Sequence, residues 1–214
     1  MIYKSIIEKY SDCKLCKSCK NDRKVFGQGN LKAAIAVIGE GPGREEEEKQ
    51  IPFVGPAGQL LDKILGAIGL QRDELFLTNT IICRTDNKNR KPTKRECLNC
   101  KTRLYNELLV VQPRFTLLVG SIASQNILGS NYSILKEHGH WYTLLDKPCY
   151  FYFTIPHPAW ILHSATEGEK KYKKRIMWED IKEFKIGIDN MNKIINWGLI
   201  RHEIIGKQRE GTLV

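Results

Sequence analysis

The chain has 214 residues, of which 42% are hydrophobic and 27% charged, and its formal net charge at pH 7 is +10. This length suffices for one domain with a buried core, and neither a run of eighteen apolar residues nor a charged-then-apolar leader points to membrane insertion or export. We therefore expect a soluble, cytoplasmic monomer with no membrane partner, nucleoid-associated in a bacterium or archaeon. The basic excess favours a polyanionic partner, because Lys and Arg release counterions from nucleic acid.

Strands and helices alternate along the chain. Apolar runs and helical spacing, punctuated by Gly and Pro, predict nine elements. These are helix 2–10, strand 32–41, helix 57–70, strand 76–84, helix 92–113, strand 115–120, helix 121–129, strand 150–156 and a basic helix over 167–188. This order predicts an α/β fold of three layers, α/β/α, with a central, mainly parallel four-stranded sheet. Residues 1–188 are expected to form one domain, and 189–214 a C-terminal extension without an assigned role.

The seven cysteines are unevenly spaced, and an intracellular protein rarely uses them for disulfides. A CxxC pair near the amino terminus, a cysteine at the end of a strand and another on the next helix predict a metal site built from soft thiolates. Zinc sites usually use two tight knuckles, whereas one CxxC with two isolated cysteines favours a [4Fe-4S] cluster. Cys149 stands in an apolar stretch and is predicted as a core residue.

The segment IGEGPGREEEEKQIPFVGPAGQLL begins at a strand end, where α/β proteins place their ligands. It is neither a phosphate-binding P-loop nor a GxGxxG fingerprint, because the spacing of both is absent. Most of its glutamates are expected on a solvated face. Glu40 differs, since it directly follows a buried strand and is flanked by Gly39 and Gly41, where backbone can approach a ligand.

Several motifs resemble those of the family 4 uracil-DNA glycosylases. They are GEGPG followed by PFVGPAGQLL, then LTNTIICR with NRKPT, and finally HPAWIL, in family order and at family spacing over about residues 10–185. The resemblance implies a parallel sheet flanked by helices, with the cleft at the carboxyl ends of the strands. It also implies an enzyme that flips uracil out of DNA and hydrolyses its bond to the sugar, in base-excision repair.

The resemblance implies a [4Fe-4S] cluster held by cysteines from separate segments. The implied ligands are Cys13, Cys16, Cys83 and Cys100. The family pattern places the fourth cysteine seven residues beyond a threonine, and from Thr93 that count reaches Cys100. Cys97 lies one helical turn earlier and remains a rival ligand, whereas Cys19 is expected to be a bystander.

The resemblance also assigns roles in a base pocket. Phe53 would stack on uracil, and the Asn79 carboxamide would accept from N3–H and donate to O4, which cytosine cannot match. Glu40 would position or deprotonate the attacking water, with Glu46 supporting the water network. His157 would donate to the developing uracil oxyanion, and the backbone at Gly39 and Gly41 would approach the ligand, with the Gly41 N–H completing an anion hole.

Two basic segments, 87–95 and 170–175, are expected to contact phosphates. Their named members are Asn89, Arg90, Lys91, Lys173 and Lys174. Trp160 and the two apolar residues after it would fill the gap left by the flipped base. The chain departs from the family where Thr85 follows Cys83-Arg84 in place of proline and where His163 replaces a common arginine. It also lacks the histidine-ending insertion of the covalently crosslinking subfamily, so turnover is expected.

A non-catalytic iron–sulfur DNA-binding replication accessory module is the alternative from another functional class. The joint presence of Glu40, Phe53, Asn79 and His157 argues against it. A zinc-bearing nucleic-acid module is a third reading, and it would lack the brown colour of an iron–sulfur protein.

Overall fold

The computed structural model describes the backbone of residues 2–16, 23–85, 90–144 and 147–210, and their side chains except those of 147–149 and 194–210. The helices are α1 (Ile2–Ser11), α2 (Arg44–Lys49), α3 (Pro56–Gly66), α4 (Lys94–Val111), α5 (Ser121–Leu128), α6 (Ile134–Glu137), α7 (Ala159–Leu162) and α8 (Glu167–Glu210). The strands are β1 (Gln28–Gly29), β2 (Ile35–Gly39), β3 (Leu75–Asn79), β4 (Phe115–Val119), β5 (Trp141–Leu144) and β6 (Lys147–Ile155).

The strands form one sheet of six in the order β1-β3-β2-β4-β6-β5. The four central strands are parallel to one another, and they are the four predicted from the sequence. The α/β prediction is thus confirmed. The two edge strands run antiparallel to their neighbours and were not predicted: β1 has only two residues, and β5 has no buried residue to mark it as a strand.

The central strands are buried on both faces, and alternate residues serve the two layers of helices. On β2, Ile35 and Val37 pack in a cluster with Leu61 of α3 and Phe184 of α8. Ile38, which points to the other face, packs with side chains of α4 and α5. This division of one strand between two clusters produces the three layers.

Two element ends differ from the prediction. The second strand ends at Asn79 and does not continue to residue 84. The basic helix α8 runs without interruption through residue 188 to Glu210, so the expected domain boundary falls within one helix. Within the described ranges, no helix is long and apolar enough to cross a membrane.

Candidate active site

The predicted pocket residues meet at one edge of the sheet. Gly39 ends β2, and Asn79 stands directly beside it at the end of β3. His157 follows the end of β6, the strand on the other side of β4. Because β2, β3, β4 and β6 are parallel, their carboxyl ends share this edge, which is the usual place for a ligand in an α/β sheet.

Gly39 is the closest point of the pocket. A Cβ atom there would lie 2.4 Å from the Asn79 Oδ1 and 2.6 Å from the Phe53 Cζ, both too close for any side chain. Both neighbours are buried, Asn79 with 3% and Phe53 with 7% of its surface exposed. The glycine therefore lets a carboxamide and an aromatic ring lie against the same stretch of backbone.

Phe53 is held by its backbone as well as by its ring. Its φ of 56° is positive, a conformation that a non-glycine residue adopts at a cost of about 1–3 kcal/mol. Arg72 donates to the Phe53 carbonyl at 3.0 Å and to the Pro52 carbonyl, and it pairs with Asp62 at 3.1 Å. Gly58 packs directly against the Phe53 backbone, since a Cβ at this glycine would lie 2.2 Å from the Phe53 carbonyl carbon. These contacts hold the backbone on which the ring stands.

Glu46 joins the two loops that frame the pocket. Its carboxylate accepts from the Gly43 amide at 3.1 Å and from the Gly55 amide at 2.7 Å. A Cβ at Gly43 or Gly55 would lie within 3 Å of that carboxylate. Glu46 thereby ties the start of α2 to the turn before α3, which is a positioning contact.

Glu40 is half-buried immediately after β2. Burial raises the pKa of its carboxyl above the ordinary value, and the nearby positive charge of Lys91 opposes that rise. Its backbone carbonyl accepts from the Ile81 amide at 3.2 Å, which fixes the segment on which the side chain stands. Gly41 packs tightly, since a Cβ there would lie 2.7 Å from Ile81 Cγ1.

His157 is held as a neutral imidazole. Burial lowers its pKa to about 4, a trend that the Glu46 charge opposes and His163 assists. Its Nδ1 lies 3.2 Å from the Ala159 backbone amide, which donates to it. Since a neutral imidazole carries one N–H, the proton is on Nε2. Gly120, at φ 87°, packs against this histidine. Because the proton is on Nε2, the ring presents a hydrogen-bond donor at neutral pH.

A buried ionic network lies on α4 and was missed by sequence reasoning. Arg103 pairs with Glu107 at 2.7 Å, and neither side chain is more than 1% exposed. The Arg103 guanidinium also donates to the carbonyls of Asn79 and Thr80, at 2.7 and 2.9 Å. The signal was available, because Arg103 and Glu107 fall at the helical spacing of the core-facing residues of α4.

The cysteines from different segments share one apolar cluster. Cys83 and Cys100 are buried in it with Ile81 and Ile82, and Cys16 and Cys97 pack against it. Cys13 follows the end of α1, where its amide donates to the Tyr10 carbonyl at 3.2 Å. Among the residues that the structure describes, no group of three or more His, Cys, Asp or Glu side chains is arranged to hold a metal ion. Cys19 lies outside the described residues.

The predicted DNA contacts differ in their surroundings. Asn89 lies outside the described residues, and Arg90 forms a two-pronged pair with Glu96 at 2.8 and 2.9 Å. Lys91 and Lys174 are exposed. Lys173 is only 6% exposed, and its ammonium donates to the Trp160 carbonyl at 2.9 Å and lies 5.1 Å from the centre of the Trp160 ring. It joins α8 to α7, the short helix that contains Trp160.

Comparison with known proteins identifies the family. The sequence model of the Uracil DNA glycosylase superfamily matches residues 26–182. Type-4 uracil-DNA glycosylases of Sulfurisphaera tokodaii and Thermotoga maritima are each 33% identical over 84% of this chain, which covers 82% and 91% of their lengths. The type-4 enzyme of Archaeoglobus fulgidus is 40% identical over 123 residues, and there the match spans 61% of the relative. The family model and these relatives together show that this chain belongs to the type-4 uracil-DNA glycosylases.

Proposed function

We propose that this protein hydrolyses the N-glycosidic bond of uracil in DNA and leaves an abasic site for base-excision repair. The observation that carries the proposal is the arrangement at Gly39, where the Phe53 ring and the Asn79 carboxamide lie against one backbone position. A flat ring can recover the stacking that a flipped base loses, and a carboxamide can pair with both N3–H and O4 of uracil.

The chemical step would divide between two residues. Cleavage develops positive charge on the sugar and negative charge on the departing uracil. Glu40, when ionised, would favour the cationic sugar and take a proton from the attacking water. The Nε2–H of neutral His157 would donate to the uracil oxyanion, as its lowered pKa and the Ala159 contact support. Glu46 would hold the surrounding loops in place, and the Gly41 amide would assist the oxyanion.

We assign a [4Fe-4S] cluster to Cys13, Cys16, Cys83 and Cys100. Thiols from three of the relevant segments already share one apolar cluster, which suits a soft metal centre. When bound, the group would cross-link the segment after α1, the turn after β3 and α4. Anaerobic protein should be brown and contain iron and sulfide, and Cys100→Ser should lose them. Cys97→Ser is the matched variant and should keep them, whereas colourless, zinc-containing protein would overturn the assignment.

Contact with DNA would use exposed cations, chiefly Lys91, whose charge acts on Glu40, and Lys174 of α8. Trp160, which Lys173 holds from α8, would fill the space left by the flipped base. We expect a monomer that acts on single- or double-stranded DNA, in the cytoplasm at the nucleoid. Light scattering during size exclusion would measure the oligomeric state, and matched uracil-containing substrates would measure strand preference.

The activity is tested with anaerobically purified protein and an oligonucleotide that carries one uracil, followed by alkali to cut abasic sites. Cleavage at the uracil, with none in a thymine-containing control, is expected. Binding without cleavage would overturn the proposal and favour a non-catalytic accessory module. A denaturant-resistant band of slow mobility would instead reveal covalent capture.

A further inference from the structure

Arg103, a fully buried residue of α4, hydrogen-bonds to the backbone of the strand end that carries Asn79. Its guanidinium donates to two consecutive carbonyls, Asn79 O at 2.7 Å and Thr80 O at 2.9 Å. These carbonyls belong to the last residue of β3 and the residue directly after it. Both carbonyls accept from Nη2, and the guanidinium keeps a second terminal nitrogen, Nη1, for other acceptors, which the single nitrogen of a lysine ammonium cannot provide.

Arg103 is itself held in one orientation. Its other terminal nitrogen donates to Glu107 at 2.7 Å and to the Thr78 hydroxyl at 3.1 Å. Glu107 also accepts from Thr78 at 2.6 Å, from the Gly27 amide at 3.1 Å and from the Tyr3 hydroxyl at 3.2 Å. The guanidinium therefore acts as a rigid connector between α4 and the end of β3.

The connection continues from β3 to β2. The amide and the hydroxyl of Thr80 both donate to the Gly39 carbonyl, at 2.8 and 2.9 Å. The Asn79 side chain in turn lies against Gly39, beside the Phe53 ring. Fixing the Asn79 and Thr80 carbonyls thus fixes where the Asn79 carboxamide stands relative to that ring.

We propose that Arg103 is a positioning residue for base recognition, which sets the Asn79 carboxamide through the backbone of Asn79 and Thr80. The inference rests on the proposed function of Asn79 as the residue that pairs with uracil. Glu107 holds Arg103 through its Oε2, whereas the Tyr3 hydroxyl contacts the other carboxylate oxygen, Oε1, and does not touch Arg103.

The first test compares Arg103→Lys with Tyr3→Phe. The lysine retains a positive charge beside Glu107, but one nitrogen with three donors cannot replace the four hydrogen bonds of Nη1 and Nη2, so single-turnover excision of uracil should fall about 10- to 100-fold. Tyr3→Phe removes one hydroxyl from the far side of Glu107 and should stay within about twofold of wild type. Affinity for DNA that contains an abasic site should be unchanged in both.

A double-mutant cycle separates positioning from general destabilisation. If Arg103 acts through Asn79, the loss caused by Arg103→Lys should shrink to about twofold or less in an Asn79→Ala background. An equal loss in both backgrounds would overturn the inference. Should Arg103→Lys fail to fold, Arg103→Met combined with Glu107→Gln removes both buried charges, and the same cycle applies to it.

Hydrogen exchange provides a readout that does not need activity. Amides of Thr80 and Ile81 should exchange faster in Arg103→Lys than in wild type, and Tyr3→Phe should leave them unchanged. Unchanged exchange in Arg103→Lys would overturn the inference even if excision fell. Failure of the wild-type protein to excise uracil would contradict the proposed function alone.

Discussion

Burial limits charge at the pocket edge, whereas ion pairs with carboxylates neutralise some of the cations predicted to contact DNA. In the pocket, burial shifts the pKa of Glu40 upward and that of His157 downward, so each group is pushed toward its neutral form. Among the cations predicted to contact DNA, Lys173 pairs with Glu169 at 2.7 Å and Arg90 with Glu96 at 2.8 Å. The net charge of +10 therefore overstates the cations available to phosphates.

Removing the pocket carboxylate should have the largest effect. Glu40→Gln keeps the shape but can neither accept a proton nor favour a cationic sugar, so single-turnover excision should fall about 10³-fold. Affinity for DNA should remain close to wild type, because the carboxylate serves the chemical step. Glu48→Gln, on the exposed face of α2, is the matched control and should be fully active. Wild-type rates in Glu40→Gln would assign the base to another group.

Removing the His157 imidazole should have the second largest effect on excision. His157→Phe deletes the Nε2–H and should slow excision about 10²-fold, measured in single turnovers at pH 7. Ala159→Gly keeps the backbone amide that donates to His157 Nδ1, so it is the control for this segment and should excise uracil at close to the wild-type rate.

The lowered pKa of His157 also predicts a stability effect. Between pH 6.5 and about 4 the unfolded chain binds a proton at this imidazole that the folded chain does not, so folding stability should decline as pH falls through that window. His157→Phe should lack this part of the decline, as followed by thermal unfolding across pH. An identical pH dependence in the variant would contradict a buried neutral imidazole.

Substituting Asn79, the residue proposed to pair with uracil, should change the preference for uracil over cytosine more than it changes DNA affinity. Asn79→Asp replaces a donor by an acceptor, so one buried group is left unpaired against uracil, at a cost of about 1–3 kcal/mol. The ratio of uracil to cytosine excision should drop about 10- to 100-fold, measured on matched oligonucleotides. An unchanged ratio would refute direct reading by this side chain.

Lys173 and Lys174 are adjacent on α8 but differ in burial, so their substitutions should have different effects. Lys174→Ala removes an exposed cation and should weaken DNA binding only a few-fold, while the slope of log affinity against log salt falls by about 1. Lys173→Ala should instead lower thermal stability, because its ammonium joins α8 to the Trp160 carbonyl. Equal effects on the salt slope would show that both lysines reach phosphates.

Much of the pocket could be anticipated from local patterns. Gly39, Asn79 and His157 each end or follow a buried strand, and parallel strands bring such positions to one edge. The four central strands and the family were predicted for the same reason, since apolar runs and motif order are local properties. The antiparallel edge strands and the short helix α7 were missed because so few residues carry their signal.

The sequence by itself determined the parallel core, the family and the identity of the side chains at the strand ends, because these follow from periodicity and spacing along the chain. Only the tertiary structure decided that Lys173 is buried against Trp160, that Glu46 binds two loop amides, and that Arg103 holds the carbonyls of Asn79 and Thr80. Those contacts join residues that are three to twenty-four positions apart along the chain, and they depend on how helices pack on the sheet. Local patterns contain no record of such packing, so neither the burial of Lys173 nor that of Arg103 could be read from them.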